Sequence, residues 1–247
     1  MTCAALVQIG PARQSFWALY MREEKLMRER TRLLPRRGEV ELEHGRTGTG
    51  TLPAAPGRMR VHGRGVLLDL SLDESEGIQA LCPHGGAQVW TRKQSGVAAH
   101  GTLCIDGGPA QEIDALAVID DTIGHHARHT EWHWSAGVGE SPDGIPLAWN
   151  LVSGVNDPPQ GSERAVWVAG SPTETAPVSF AADLSSIRCE DGAELRFLAE
   201  AQRSRHDELL IVGSDYRAPF GTFCGTLPGA TPLAHGLGVV EHHRARW

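Results

Sequence analysis

Residues Leu116–Val138 read LAVIDDTIGHHARHTEWHWSAGV, and this stretch combines titratable and aromatic side chains more densely than any other part of the chain. It contains two adjacent aspartates, four of the twelve histidines, one glutamate and two of the seven tryptophans. Such groups supply proton transfer and flat apolar surfaces. We therefore expect any chemistry of this protein to involve this stretch.

Toward the end of this stretch, titratable side chains alternate with mainly aromatic ones. If residues 128–134 form a strand, successive side chains point to opposite faces. One face would then carry titratable groups and the other mainly indole rings. The titratable set is His129, Glu131 and His133, and the other set is Thr130, Trp132 and Trp134.

The rest of the chain predicts an all-β fold. From Gly38 onward, short apolar runs are interrupted by Gly, Pro, Asp and Asn about every ten residues, which is typical of antiparallel strands joined by turns. Residues 66–72, for example, alternate Val and Leu with polar positions. Residues 14–34 differ, because they contain neither Gly nor Pro and space their apolar residues nearly as a helix does. We predict an N-terminal helix there.

These patterns suggest three segments. We expect a helical segment over residues 1–37, a first barrel-like half over residues 38–110, and a second half over residues 111–247. At 247 residues the chain is long enough for one large β domain or two associated halves.

Composition excludes several classes of partner. The formal charge of −7 argues against a surface for nucleic acid, because phosphate binding requires clustered Lys and Arg. Five widely spaced cysteines without a CxxC pair predict reduced thiols. Neither a signal peptide nor a run of about 18 apolar residues is present, so we expect a cytoplasmic protein without a transmembrane segment.

The sequence also predicts neither a metal site nor a cofactor. His129 and His133 are four positions apart, which separates their Cα atoms by roughly 13 Å on a strand and prevents them from sharing an ion. Pairing either histidine with Glu131 leaves a third ligand unidentified. The glycine-rich segments match no nucleotide-binding pattern, and no serine or cysteine lies in a strand–elbow–helix context.

Several blocks of the chain, in order, are similar to one known family. They are WTRKQSGV (90–97), DDTIGHHARHTEWHWSAGVG (120–139), WNLVSGVND (149–157), ERAVWVAG (163–170), SDYRAPFGTFCGTL (214–227) and GLGVVEHHRARW (236–247). Together they resemble a bacterial family known as domain of unknown function 2804, over roughly residues 58–247. The resemblance implies a place in the calycin superfamily beside carotenoid 1,2-hydratases and lipocalin-like proteins. We therefore expect lipocalin-like antiparallel barrels, either one or two in tandem with the first incomplete.

The central block also resembles a shortened form of the hydratases' signature, in which Asp-His-Asn-x-Gly precedes Trp-x-Trp-Ser. Matching positions are Asp120, Gly124, Trp132, Trp134 and Ser135, whereas Asp121 and Thr122 replace the His and Asn. The resemblance implies that Asp120 is the acid. Two adjacent aspartates point to opposite faces of a strand, so we favour Asp120 over Asp121.

These observations lead to a hypothesis of acid–base chemistry in an apolar chamber near residues 120–134. Asp120 would protonate an alkene of an isoprenoid- or lipid-like molecule, an indole ring would face the resulting cation, and a nearby histidine would take a proton back. Hydration, isomerisation or cyclisation would follow. Candidate catalytic residues are Asp120, Asp121, His129, Glu131 and His133, and candidate ligand-binding residues are Trp132, Trp134, Asn150, Glu241 and His242.

Two alternatives come from different classes. The protein could be a carrier or sensor that encloses a hydrophobic molecule without reacting with it, as many lipocalin-like barrels do. It could also be a structural protein whose own side chains fill the chamber and which acts through surface contacts.

Overall fold

A computed structural model describes residues 1–34, 38–46, 55–209 and 212–246 of the chain. Throughout these ranges the regular structure is β-strand, so the predicted all-β class is confirmed. In the same ranges we find no helix that combines the length and the apolar composition required to cross a membrane. The chain forms two compact units, namely Met1–Glu76 with Val97–Ala117, and Gly77–Gly96 with Val118–Trp247.

The first unit contains a three-stranded antiparallel sheet of order β1-β2-β3 and a second antiparallel series of order β4-β5-β6-β8. Only the later residues of β8 belong to this unit. The strands are β1 (Thr2–Ile9), β2 (Ala12–Met21), β3 (Leu26–Leu33), β4 (Val40–Glu43), β5 (Gly57–Gly63), β6 (Val66–Leu72), β8 (Ala87–Ile105) and the start of β9 (Gln111–Gly124). The predicted strand over residues 66–72 coincides with β6, whose Val66, Leu68, Leu70 and Leu72 are buried.

The predicted helix over residues 14–34 is wrong, because these residues form most of β2 and β3. The central strand β2 buries Trp17 and Leu19 on one face and Ala18 and Tyr20 on the other, so its apolar residues do not alternate with polar ones. The hairpin turns without Gly or Pro, since Lys25 adopts the left-handed conformation with φ 51°. Residues 35–37, the end of the predicted helical segment, lie outside the described residues.

The second unit contains a nine-stranded antiparallel sheet of order β13-β12-β11-β10-β18-β17-β16-β15-β14. Its strands are β10 (His129–Glu140), β11 (Pro146–Ser153), β12 (Ala165–Val168), β13 (Ser171–Glu174), β14 (Val178–Phe180), β15 (Ser186–Cys189), β16 (Glu194–Leu209), β17 (Val212–Leu227) and β18 (Thr231–Arg246). This unit also contains β7 (Ile78–His84), the first part of β8 and the last part of β9.

The nine-stranded sheet curls around an apolar core. Strand β14 at one edge contacts β11 near the other edge, and the core draws residues from β11, β12 and β14 to β18. Trp149, which is completely buried, packs in this core against Phe223. A gap in this core, lined by residues that include Leu151, Ile187 and Leu195, is too small for a water molecule.

The opposite face of the same sheet is covered by β7 and by the parts of β8 and β9 that belong to this unit. Ile78 of β7 packs against Ala148, Ala165 and Trp167. The hydroxyl of Ser95 in β8 donates a hydrogen bond to the Trp149 carbonyl at 3.3 Å. This second layer contributes the charged residues Lys93 of β8 and Asp120 of β9, which are considered below.

Candidate active site

Strand β10 presents two chemically different faces, as its sequence alternation predicted. In its antiparallel pairing with β18, Trp132 lies opposite His243 and Trp134 opposite Glu241. Directly paired residues project to the same side of a sheet. We call these four residues the tryptophan face. The opposite side carries Glu131, His133, His242 and Arg244, which we call the histidine face.

Hydrogen bonds fix both indole rings of the tryptophan face. The indole N–H of Trp132 donates to Oε1 of Glu241 at 2.8 Å, and that of Trp134 donates to Oδ1 of Asn150 at 2.8 Å. Asn150 is fully buried, and its amide donates to the backbone carbonyl of Glu163 at 2.8 Å. Four of the predicted ligand-binding residues therefore form two hydrogen-bonded pairs beside each other, namely Trp132 with Glu241 and Trp134 with Asn150.

Asp120 joins a buried ion pair in the layer beside this face. Nζ of Lys93 lies 2.5 Å from Oδ1 of Asp120 and 3.4 Å from Oε1 of Glu163. Lys93 is 3% exposed and Glu163 is equally buried, whereas Asp120 is 41% exposed. Thr122 donates a further hydrogen bond to Asp120 at 3.1 Å. Asp120 is thus the member of the cluster that reaches solvent.

The single ammonium group of Lys93 lies beside the carboxyl groups of Asp120 and Glu163, so the cluster has a net negative charge when both are ionised. Burial opposes the charge of Lys93, but the two neighbouring carboxylates outweigh this effect and raise its pKa. Burial raises the pKa of Glu163 even though Lys93 is close. The amide of Asn156 donates to the other carboxyl oxygen of Glu163 at 3.0 Å. The cluster therefore favours a protonated lysine with at least one carboxyl group ready to hold a proton.

Glu241 is a carboxyl group whose pKa is strongly displaced from its ordinary value. Burial raises its pKa to about 7, although hydrogen bonds from Trp132 and Tyr216 stabilise the carboxylate and act in the opposite direction. The negative charge of Asp120 raises the pKa further and the positive charge of Lys93 lowers it. Near neutral pH, Glu241 thus exists in comparable amounts as acid and carboxylate, which suits a general acid or base.

His243 occupies the end of the tryptophan face. Its ring centroid lies 4.3 Å from that of Trp132 and 5.3 Å from that of Tyr216. Its Nε2 lies 2.8 Å from the hydroxyl oxygen of Ser214. Burial lowers the pKa of His243 to about 4, with the negative charge of Asp215 opposing the shift. The ring is consequently neutral at physiological pH.

The histidine face forms a separate surface network. Oε1 of Glu131 lies 2.9 Å from both Nε2 of His242 and Nε of Arg244, and these hydrogen bonds lower the pKa of Glu131. The rings of His133 and His242 stack 4.4 Å apart, and His133 also stacks on Phe180 at 5.5 Å. Burial lowers the pKa of His133.

The structure thus separates the ten predicted site residues. Asp120 adjoins the group formed by Trp132, Trp134, Asn150 and Glu241, whereas Glu131, His133 and His242 lie on the opposite side of the sheet. Asp121 forms an ion pair with Arg92 at 2.7 Å. His129 is exposed and pairs with Arg246 in the strand register.

Sequence reasoning missed Lys93, Glu163, Asn156, Ser214, Tyr216 and His243. The sequence held a partial signal for Lys93, because Val89, Thr91 and Lys93 are spaced two apart and share one face of a strand. The structure shows that this face is buried. Lysine on the buried face of a strand requires a buried anion, which the sequence alone could not identify.

Within the described residues, no group of three or more His, Cys, Asp or Glu side chains is arranged to hold a metal ion. A pocket of about 240 Å³ lies elsewhere in the second unit, lined by residues that include Val166, Thr173, Glu174, Asp191 and Thr231.

Comparisons with known proteins show the fold and the family of this chain. The fold matches that of kievitone hydratase from Nectria haematococca with a TM-score of 0.64 and 13% identity, covering 98% of this chain and 82% of that one. It also matches an AttH candidate from Nitrosomonas europaea with a TM-score of 0.57 and 12% identity, covering 98% and 85% of the two chains. No curated protein sequence matches the chain. The model of one family, described as domain of unknown function 2804, matches residues 15–247. This chain therefore belongs to the domain of unknown function 2804 family.

Proposed function

We propose that the tryptophan face and its neighbouring ion pair form an acid–base site that adds water to a carbon–carbon double bond of an apolar, isoprenoid-like small molecule. One observation carries this proposal. The Glu241 carboxyl, whose pKa burial raises to about 7, accepts a hydrogen bond from Trp132 and interacts electrostatically with Asp120 and Lys93. Two carboxyl groups in unlike environments are a common arrangement for paired acid and base roles.

In this proposal Glu241 takes the role of proton donor that the sequence suggested for Asp120. Asp120 already shares its charge with Lys93 at 2.5 Å, whereas Glu241 has a proton available near neutral pH. Glu241 donates that proton to one alkene carbon. The resulting carbocation faces the indole rings of Trp132 and Trp134, whose electron-rich surfaces stabilise positive charge.

Water then completes the reaction. Its oxygen bonds to the cationic carbon, and its surplus proton passes to the carboxylate of Asp120, which is exposed enough to exchange protons with solvent. Asp120 releases this proton to solvent and Glu241 takes one up from solvent, so the net change is alkene plus water to alcohol. Lys93 keeps Asp120 positioned, and Asn150 holds Trp134 in place.

The comparisons support this choice of chemistry. Kievitone hydratase has the same fold over nearly the whole of this chain, and a hydratase adds water to a double bond. The calycin architecture that the family resemblance implies suits small apolar ligands. All five cysteines are free thiols, which favours a cytoplasmic setting for the activity.

The test uses kievitone and an acyclic carotenoid as probes in water enriched in ¹⁸O. Wild-type protein should yield a product heavier by one ¹⁸O-labelled water, and Glu241→Gln should reduce the rate about 100-fold or more, since general acids contribute about 10²–10⁴-fold. Glu140→Gln, at the exposed end of the neighbouring strand β10, serves as the matched control.

Unchanged turnover by Glu241→Gln would contradict the proposal. Tight binding of either probe without any product, in wild type and variant alike, would instead support the carrier. A wild-type product that has lost or moved a proton without gaining oxygen would indicate isomerisation or cyclisation at the same site.

A further inference from the structure

We propose that Ser214 is an activated nucleophile with His243 as its base, and that the pair transfers acyl groups from small activated esters to water. This reactivity is distinct from the hydration proposed above, in which Ser214 has no part and His243 belongs to the tryptophan face without transferring a proton. The strand register brings the two together. Ser214 of β17 pairs with Ala245 and Tyr216 pairs with His243, so Ser214 is the diagonal neighbour of His243 on one face of the sheet.

The contact has the geometry of a nucleophile–base pair. The Ser214 hydroxyl oxygen lies 2.8 Å from Nε2 of His243, within the range expected for proton transfer. Ser214 is only partly buried, and the proposal requires that a small reagent reach its hydroxyl. In the neutral tautomer that carries its proton on Nδ1, His243 accepts the serine proton at Nε2.

Neighbouring aromatic rings hold the imidazole in this orientation. Trp132 packs 4.3 Å from the His243 ring at an interplanar angle of 49°, and Tyr216 meets it edge-on at 5.3 Å. An imidazole confined in this way loses little freedom when it accepts a proton, which is the purpose of orienting groups in other nucleophile–base pairs.

The electrostatic surroundings of His243 keep its ring neutral, so that it can accept a proton, and also make it a weak base. Burial lowers the pKa of His243 to about 4, so the ring is neutral at pH 7, and the negative charge of Asp215 favours the imidazolium once it forms. His242 is the further charged group that acts on His243, and it disfavours protonation. A base of low pKa assists proton transfer weakly. The pair is therefore suited to acyl groups with good leaving groups.

The reaction balances with water as the second substrate. The Ser214 oxygen forms a bond to the ester carbonyl carbon while its proton moves to Nε2 of His243. The bond from that carbon to the leaving-group oxygen breaks, and the leaving group takes the proton. Water, deprotonated by the same nitrogen, then attacks the acyl-serine and releases the acid and the free hydroxyl.

The experiment treats the full chain with a fluorophosphonate probe and, separately, with p-nitrophenyl acetate. Intact-mass measurement and peptide mapping should locate one phosphonyl adduct on Ser214. Ser214→Ala should abolish the adduct, and His243→Asn should slow its formation about 100-fold. Ser204→Ala, which alters an exposed serine on the adjacent strand, is the control and should react as wild type does.

The pH dependence of the labelling rate in the wild-type protein distinguishes a reactive Ser214–His243 pair from a merely structural contact. This measurement does not require that a His243 variant fold. The labelling rate should rise as pH increases through about 4, where His243 loses its proton, and stay level to pH 8. The proposal fails if the adduct forms on another residue, if no adduct forms, or if the rate rises only above pH 8 as for an unassisted hydroxyl.

Discussion

The two sides of the nine-stranded sheet use the same strands for opposite purposes. On the curled inner side, Trp149 packs on Phe223 in the apolar core, and the gap beside Leu151 is too small for a water molecule. On the other side, the same strands β10, β11 and β18 present Trp134, Asn150 and Glu241 to a buried Lys93 and Glu163. An apolar core stabilises through burial alone, whereas buried charge is tolerated only when it is paired. The polar side therefore contributes less to stability than the apolar side, but it holds groups that can exchange protons.

The largest effect should come from the apolar side. Trp149→Ala removes a fully buried indole that packs on Phe223 and lies so close to β10 that a side chain at Gly137 would overlap it. We expect the free energy of unfolding to fall by about 4 kcal/mol, measured by urea denaturation. Leu198→Ala, at a position 69% exposed, should change it by less than about 0.5 kcal/mol. Equal effects of the two variants would show that the curled interior is not the stabilising core.

On the polar side, removing the shared cation should be nearly as damaging. Lys93→Met leaves Asp120 and Glu163 without their ammonium, and we expect a loss of about 3 kcal/mol in unfolding free energy. The loss should be larger at pH 8 than at pH 5, because Glu163, whose pKa is already raised, can take up a proton at the lower pH. Lys25→Met, in an exposed turn, is the matched control and should have almost no effect. A Lys93 variant as stable as this control would contradict the buried ion pair.

Glu241→Gln should be stabilising at high pH. The pKa of Glu241 is about 7 in the folded state, above the ordinary value of 4.5. Between these two pH values the folded state therefore binds more protons than the unfolded state. The free energy of unfolding consequently falls as pH rises from 4.5 to 7. Replacing the carboxyl should therefore raise the unfolding free energy at pH 8 by about 3 kcal/mol, at about 1.4 kcal/mol for each unit of the pKa difference, and change it little at pH 4.5.

Glu131→Gln provides the matched control on the histidine face. The folded pKa of Glu131 is lowered by His242 and Arg244, so its contribution to stability is present above its unfolded pKa and is lost as pH falls. This variant should be less stable than wild type at pH 8. Finding the same sign for both variants, by thermal denaturation at pH 8, would contradict the difference between the two faces.

The smallest effect should follow from Trp132→Phe, which keeps an aromatic ring but removes the N–H that donates to Glu241 at 2.8 Å. We expect a loss of about 1 kcal/mol in unfolding free energy and a further rise in the pKa of Glu241, because this hydrogen bond stabilises the carboxylate. Trp90→Phe removes an exposed indole hydrogen bond to Gln79 and should have less effect in urea denaturation. A lowered Glu241 pKa in Trp132→Phe would reverse the role assigned to this bond.

Alternation along a strand made part of this arrangement predictable. The separation of His133 from Trp132 and Trp134 follows from period-two geometry, as does the buried apolar face of β6. The helix prediction failed because β2 is covered on both faces and its hairpin turns at Lys25, so neither alternation nor a turn residue marked the strand. Register between distant strands is set by tertiary packing. The pairing of Trp134 with Glu241, and the meeting of Lys93 with Glu163, therefore could not be predicted from local sequence.

A carboxyl ¹³C NMR titration that compares wild type with Glu241→Gln tests the central claim most directly. The resonance absent from the variant should titrate in wild type with a midpoint near pH 7, as expected for a carboxyl held under Trp132 beside the Lys93–Asp120 pair. A midpoint near the ordinary value of 4.5 would contradict the assignment of Glu241 as the proton donor.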